Sequence, residues 1–116
     1  MTDGSESGPS NIEYHVLLAM AEGPLYGYAI KGAVEAESDG TLTPRAGSLY
    51  RVLARLMTRG LVREAEPSHA EEPHPGRTRR YYALTPEGRT TLAEAARRLK
   101  AVAALAEERL GAAGGP

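Results

Sequence analysis

AGSLYRVLARLMTRGLV, residues 46–62, reads as an amphipathic helix that stops at a glycine. At about 100° per residue, Ala46, Leu49, Leu53, Leu56 and Met57 share one face. Arg45, Ser48, Arg51, Arg55 and Arg59 fall on another, about 130° away. One side is suited to a core and the adjacent side is a line of guanidinium groups. Thr43-Pro44 offers a cap and first turn, and Gly60 a left-handed stop. Five arginines and no acid lie between Thr43 and Arg63.

That segment stands out because the chain as a whole is slightly acidic, with a formal net charge of −1 over 116 residues. Residues 1–42 hold seven acids against Lys31 alone. Beyond the arginine helix, residues 64–76 are acidic, and Arg77, Arg79 and Arg80 form a second basic island. A solvated structural surface usually mixes signs, so this segregation points to an anionic partner. Cysteine is absent, which excludes disulfides and thiolate chemistry and favours an intracellular protein. The N-terminus lacks the basic start and apolar run of a signal peptide. No apolar run approaches the roughly 20 residues that span a bilayer.

Outward from the arginine helix, the order of elements is simple. Residues 1–10 are Gly, Ser, Pro and acid, and read as a disordered tail. Ser10 can cap a first helix whose face is Ile12, Val16, Leu17, Leu18, Ala19 and Met20. Glu22-Gly23-Pro24 ends it. A second helix, from about Tyr26 to Glu37, sets Tyr28, Ala29, Gly32, Ala33 and Glu37 along a modest apolar face. After Gly60 the period changes. Residues 61–66 and 78–84 read as two strands around a long tip, a hairpin. Thr85-Pro86-Glu87-Gly88 opens a last helix to about Leu110, and residues 111–116 read as a second tail. Along it Leu92, Ala96, Leu99, Ala103, Ala106 and Leu110 are spaced 4, 3, 4, 3, 4, with Val102 and Leu105 beside them. That heptad seam suggests pairing with a second copy.

Helix, helix, basic helix and hairpin make a winged helix-turn-helix: residues 11–85 as the DNA-binding domain, 86–110 as a dimerisation helix. The class is mainly α with one β-hairpin. Arginines along a helix suit the major groove, where they meet phosphates and can grip a guanine edge with two hydrogen bonds. Arg77, Arg79 and Arg80 are placed at the wing to reach the backbone.

Four pieces in order carry a resemblance to a known family. They are Gly27-Tyr28, then Gly47-Ser48-Leu49-Tyr50, then Gly60-Leu61-Val62, then Tyr81-Tyr82-x-Leu84-Thr85-x-x-Gly88. Over about residues 12–105 the chain resembles the PadR family of bacterial transcriptional regulators, in its compact form with one C-terminal helix. The resemblance implies a homodimeric, cytoplasmic repressor of promoter DNA that a small aromatic or drug-like effector can release. It implies DNA-facing or phosphate-positioning roles for Tyr28, Ser48 and Tyr50, although Tyr50 also flanks the core face and can pack. Gly47 would let backbone approach phosphate. The family commonly has a small polar residue and Pro where this chain has Arg45-Ala46, which makes Arg45 an added phosphate contact. Of Tyr81 and Tyr82, alternation along the strand turns one inward and the other toward the DNA backbone. Dimerisation would use Leu92, Ala96, Leu99, Val102, Ala103, Ala106 and Leu110. An effector site near the first and last helices would involve Tyr14, Leu18 and Leu99, each also a candidate for the core.

No enzyme is legible. His15, His69 and His74 support no catalytic arrangement, and the spacing of His69, Glu71, Glu72 and His74 matches no metal-ligand pattern. No metal or cofactor is expected. The rival reading is a winged-helix protein-interaction module without DNA binding, since a fold does not settle function.

Overall fold

A computed structural model describes residues 8–66 and 80–114. Their elements are α1 (Asn11–Ala19), β1 (Leu25–Tyr26), α2 (Gly27–Glu37), α3 (Ala46–Thr58), β2 (Val62–Ala65), β3 (Tyr81–Leu84) and α4 (Pro86–Gly114). This is a mainly helical winged helix-turn-helix with a small antiparallel sheet.

Ser10 starts α1 with a reciprocal capping box: its hydroxyl accepts from the Glu13 amide, and the Glu13 carboxylate accepts from the Ser10 amide. Residues 8–10, expected as part of a tail, are therefore engaged; residues 1–7 lie outside the described residues. The core joins Val16, Leu17 and Met20 of α1 to Ile30 and Val34 of α2, and these to Leu49, Val52, Leu53 and Leu56 of α3. Leu61, Val62, Tyr82 and Leu84 close it from the sheet side.

Two helix faces differ from expectation. In α2 the buried positions are Gly27, Ile30 and Val34, while Tyr28, Gly32 and Glu37 are exposed. In α3, Val52 on the arginine flank is buried, and Ala46 and Met57 are exposed. The buried set Leu49, Val52, Leu53 and Leu56 has the i, i+3, i+4, i+7 spacing of a single face. The helix starts at Ala46 with Arg45 as its N-cap, so Thr43-Pro44 precedes it rather than capping it.

The sheet has the order β1-β3-β2. β1 pairs Leu25 with Tyr82 and Tyr26 with Tyr81; β2 pairs Val62 with Leu84 and Ala65 with Tyr81. β3 is the central strand, paired at both edges, and all four of its residues, Tyr81 and Tyr82 among them, are buried. Neither faces solvent, which corrects the expectation that one of them turns outward toward the DNA backbone. The Tyr81 ring meets Tyr26 edge-on at 5.7 Å. Burial pushes the Tyr82 phenol above its ordinary pKa.

One junction fixes α4 to α3. Gly60 ends α3 with φ 77°, and the Leu61 amide donates to Leu56 O at 2.9 Å. Thr85 then bonds back twice, its amide to Leu61 O at 3.1 Å and its hydroxyl to Gly60 O at 2.6 Å. The same hydroxyl accepts from the Gly88 amide at 2.9 Å and so caps α4. Gly88 lies so close to Leu61 O that a Cβ there would overlap it.

The start of α4 packs on the domain through Leu92 and Ala95. From Arg97 to Gly111 every residue is exposed, as the helix runs on past the core. The molecule is accordingly 60 Å long but only 25 Å thick. Residues 111–114, expected as tail, continue the helix. Among the described residues no helix is long and apolar enough to cross a membrane.

Candidate nucleic-acid interface

The N-terminal turn of α3 is exposed and basic, with Arg45 and Arg51 both open to solvent. Arg45 makes no side-chain cap bond and the first turn holds no acid. The leading amides therefore present the positive end of the helix dipole beside an arginine. Gly47 is exposed, and a Cβ there would meet only Arg51 Nη1 at 3.9 Å, so nothing inside the fold requires glycine. Ser48 accepts from Arg51 Nη2 at 3.3 Å. Arg51 is exposed and has no acidic partner among the described residues. Arg45, Gly47, Ser48 and Arg51 thus form one continuous patch suited to an anion.

Tyr28 adjoins this patch through Gly27. The Tyr50 hydroxyl lies against the Gly27 backbone, which brings α3 onto the first turn of α2. Tyr50 is half exposed and Tyr28 is 76% exposed. Tyr50 therefore packs and faces outward at once.

Farther along α3 the arginines have internal partners. Arg55 Nε donates to Glu13 Oε2 at 3.2 Å, and Arg59 Nη1 to Glu13 Oε1 at 3.4 Å. Glu13 is only 7% exposed. Burial alone would raise its pKa, but the Ser10 amide, the Arg55 hydrogen bond and the charges of Arg59 and Arg55 together hold it below the ordinary glutamate value. Sequence reasoning missed Glu13, although the Ser-x-x-Glu spacing of a capping box was there to mark it.

On the wing, Arg80 pairs across the hairpin with Glu64 at 3.1 Å, both largely exposed. Arg77 and Arg79 lie outside the described residues, as do His69, Glu71, Glu72 and His74.

The expected effector residues are partly brought together. Tyr14 and Leu99 line a groove of about 230 Å³ between α1 and α4, with Pro9, Ser10, Asn11, Ala95 and Arg98. Leu18 is not among its lining residues. The expected dimer seam divides in two. Leu92 and Ala96 are half-buried against their own domain, while Leu99, Val102, Ala103, Ala106 and Leu110 are exposed.

The sequence pattern of the transcriptional regulator PadR-like family matches residues 16–94. Over 77 residues the chain is 46% identical to an uncharacterised 37.1 kDa protein in transposon TN4556 of Streptomyces fradiae; the match covers 66% of this chain and 19% of that protein. The fold is similar to a PadR family transcription regulator from Clostridium difficile, with TM-score 0.69 and 22% identity over 88% of this chain and 100% of that one. A PadR-like transcriptional regulator from Bacillus cereus gives TM-score 0.69 and 22% identity over 85% and 90% of the two chains. Bacillus subtilis PadR in complex with operator DNA gives TM-score 0.58 and 20% identity, covering 73% of this chain and 46% of that one.

Proposed function

Because the chain belongs to the PadR-like family of transcriptional regulators, we propose that it is a sequence-specific DNA-binding regulator, acting as a homodimeric repressor in the cytoplasm. The observation that carries this reading is the acid-free N-terminal turn of α3, with Arg45, Gly47, Ser48 and Arg51 free to meet DNA. Arginines at the start of a recognition helix can contact phosphate and the O6/N7 edge of guanine. Tyr28 and Tyr50 adjoin them as phosphate-positioning hydroxyls. Arg77, Arg79 and Arg80 are assigned to the flanking backbone. The structural similarity to Bacillus subtilis PadR in complex with operator DNA supports the same partner here.

Pairing follows from α4. Leu99, Val102, Leu105 and Leu110 are exposed on a helix that leaves its own core. Side chains of this kind along a heptad seam are suited to a second copy. The groove beside Tyr14 and Leu99 is the place assigned to a small-molecule effector, since it touches both α1 and α4. The site calls for neither catalysis nor a cofactor.

Fluorescence anisotropy with duplexes from the protein's own promoter region and a scrambled control, at several salt concentrations, tests the reading. Preference for one duplex with a steep salt dependence supports it. Equal failure on all duplexes at low salt overturns it in favour of the protein-interaction module.

A further inference from the structure

Glu13 occupies an unusual position for a buried acid in a DNA-binding fold, because its two oxygens serve three groups at once. Oε1 accepts from the Ser10 amide at 2.9 Å and from Arg59 Nη1 at 3.4 Å. Oε2 accepts from Arg55 Nε at 3.2 Å. The Arg55 side chain nevertheless remains 53% exposed, against 9% for Glu13.

The atom that Glu13 grips matters. A guanidinium held at Nε by one carboxylate still has its far edge, Nη1 and Nη2, available. Among the described residues no acceptor takes those two nitrogens. That edge is the fork that fits guanine O6 and N7. A long arginine free in solution loses considerable rotamer entropy when it adopts a single binding geometry. Here much of that loss has been taken in folding, on an anchor that is itself fixed by the cap of α1.

We infer that Glu13 is a specificity-determining positioning residue: it holds Arg55 by Nε so that the Nη1–Nη2 edge faces a base rather than wandering along the phosphates. This rests on the regulator reading above and deepens it by dividing the arginines of α3. Arg45 and Arg51, free of acids, supply attraction to any duplex. Arg55, restrained, supplies choice among duplexes. Glu13 contributes no contact to DNA; its negative charge even opposes the backbone. Its effect on nonspecific affinity is therefore opposite in sign to its effect on discrimination, which a merely structural residue would not produce.

The test uses the full chain, a duplex selected by the wild-type protein from a random-sequence pool, and a scrambled duplex. Glu13→Gln keeps an acceptor for the Ser10 amide, as Gln serves in capping boxes, but discharges the grip on Arg55. The expected result is a loss of about fivefold or more in the ratio of selected to scrambled affinity. On scrambled DNA the salt slope steepens by about 1, as the released arginine finds phosphate. In an Arg55→Ala background Glu13→Gln changes the ratio no further. Arg55→Lys, which keeps the charge but has no second edge, loses the ratio and keeps the slope even if Glu13→Gln folds poorly. A ratio held within about twofold by Glu13→Gln or by Arg55→Lys overturns the inference. So does a full effect of Glu13→Gln that persists without Arg55. A wild-type protein that selects no duplex refutes the regulator reading itself, and this inference with it.

Discussion

The Tyr50 hydroxyl occupies the space that a side chain on residue 27 would need: a Cβ built on Gly27 would lie 2.6 Å from it and 3.1 Å from the ring carbon that bears it. The contact seats α3 against the first turn of α2. Gly27→Ala must therefore push Tyr50 aside. The expected cost is about 1–2 kcal/mol in urea unfolding despite the better helix propensity of alanine. In a Tyr50→Ala background the same change becomes neutral or stabilising, so a double-mutant cycle reads a coupling of about 1 kcal/mol or more.

Arg51 and Arg55 separate under substitution. Arg51 is exposed with only Ser48 beside it, so Arg51→Ala leaves the melting temperature nearly unchanged, weakens binding to selected and scrambled duplexes alike and lowers the salt slope by about 1. Arg55→Ala weakens DNA binding and also releases one partner of buried Glu13, so it alone lowers thermal stability. Differential scanning calorimetry beside anisotropy separates the two effects.

Stability falls in acid through Glu13. Its folded-state pKa lies below the ordinary value, so its contribution is fully present above about 4.3 and is lost as pH falls through the depressed folded value. The measurement is the urea midpoint as a function of pH, for wild type and Glu13→Gln. The gap between the two curves narrows below about pH 4.

Gly88→Ala is the most damaging small change expected. The added carbon would overlap the Leu61 carbonyl, and backbone on backbone has little room to yield. A loss of about 2–4 kcal/mol follows, with a melting-temperature drop of about 8 °C or more.

Leu99→Asp with Val102→Asp changes assembly and not the fold of the domain, because both side chains are exposed within one chain. Sedimentation equilibrium is expected to move from twice the chain mass to the single 12.3 kDa species, with the far-UV spectrum retained.

What could be read in advance was local. Ser10, Gly60 and Thr85 announce helix ends because capping chemistry acts within a few residues. The arginine helix shows itself by its period. What escaped was set by distant chain. β1 has two residues and exists through its pairing with β3, more than fifty residues on. Glu13 looks like an ordinary first-turn acid until α3, 42 residues later, lays Arg55 on it. Tyr81 and Tyr82 read as an alternating pair with one side chain outward, but distant residues cover both sides of β3, Tyr26 meeting Tyr81 and the helical core taking Tyr82. The inward place of Val52 depends on the roll of α3 about its axis, which its neighbours fix and its own period leaves loose.

Thr85 and Gly88 turn two helices into one machine part. The end of α3 meets the start of the long helix, and two hydrogen bonds and a close backbone contact join them. With 29 residues, α4 is about 43 Å of stiff rod. Its far end is a crank handle: on the proposed reading of α3 as the helix that enters the groove, a small swing there would be taken up as a change in its pitch.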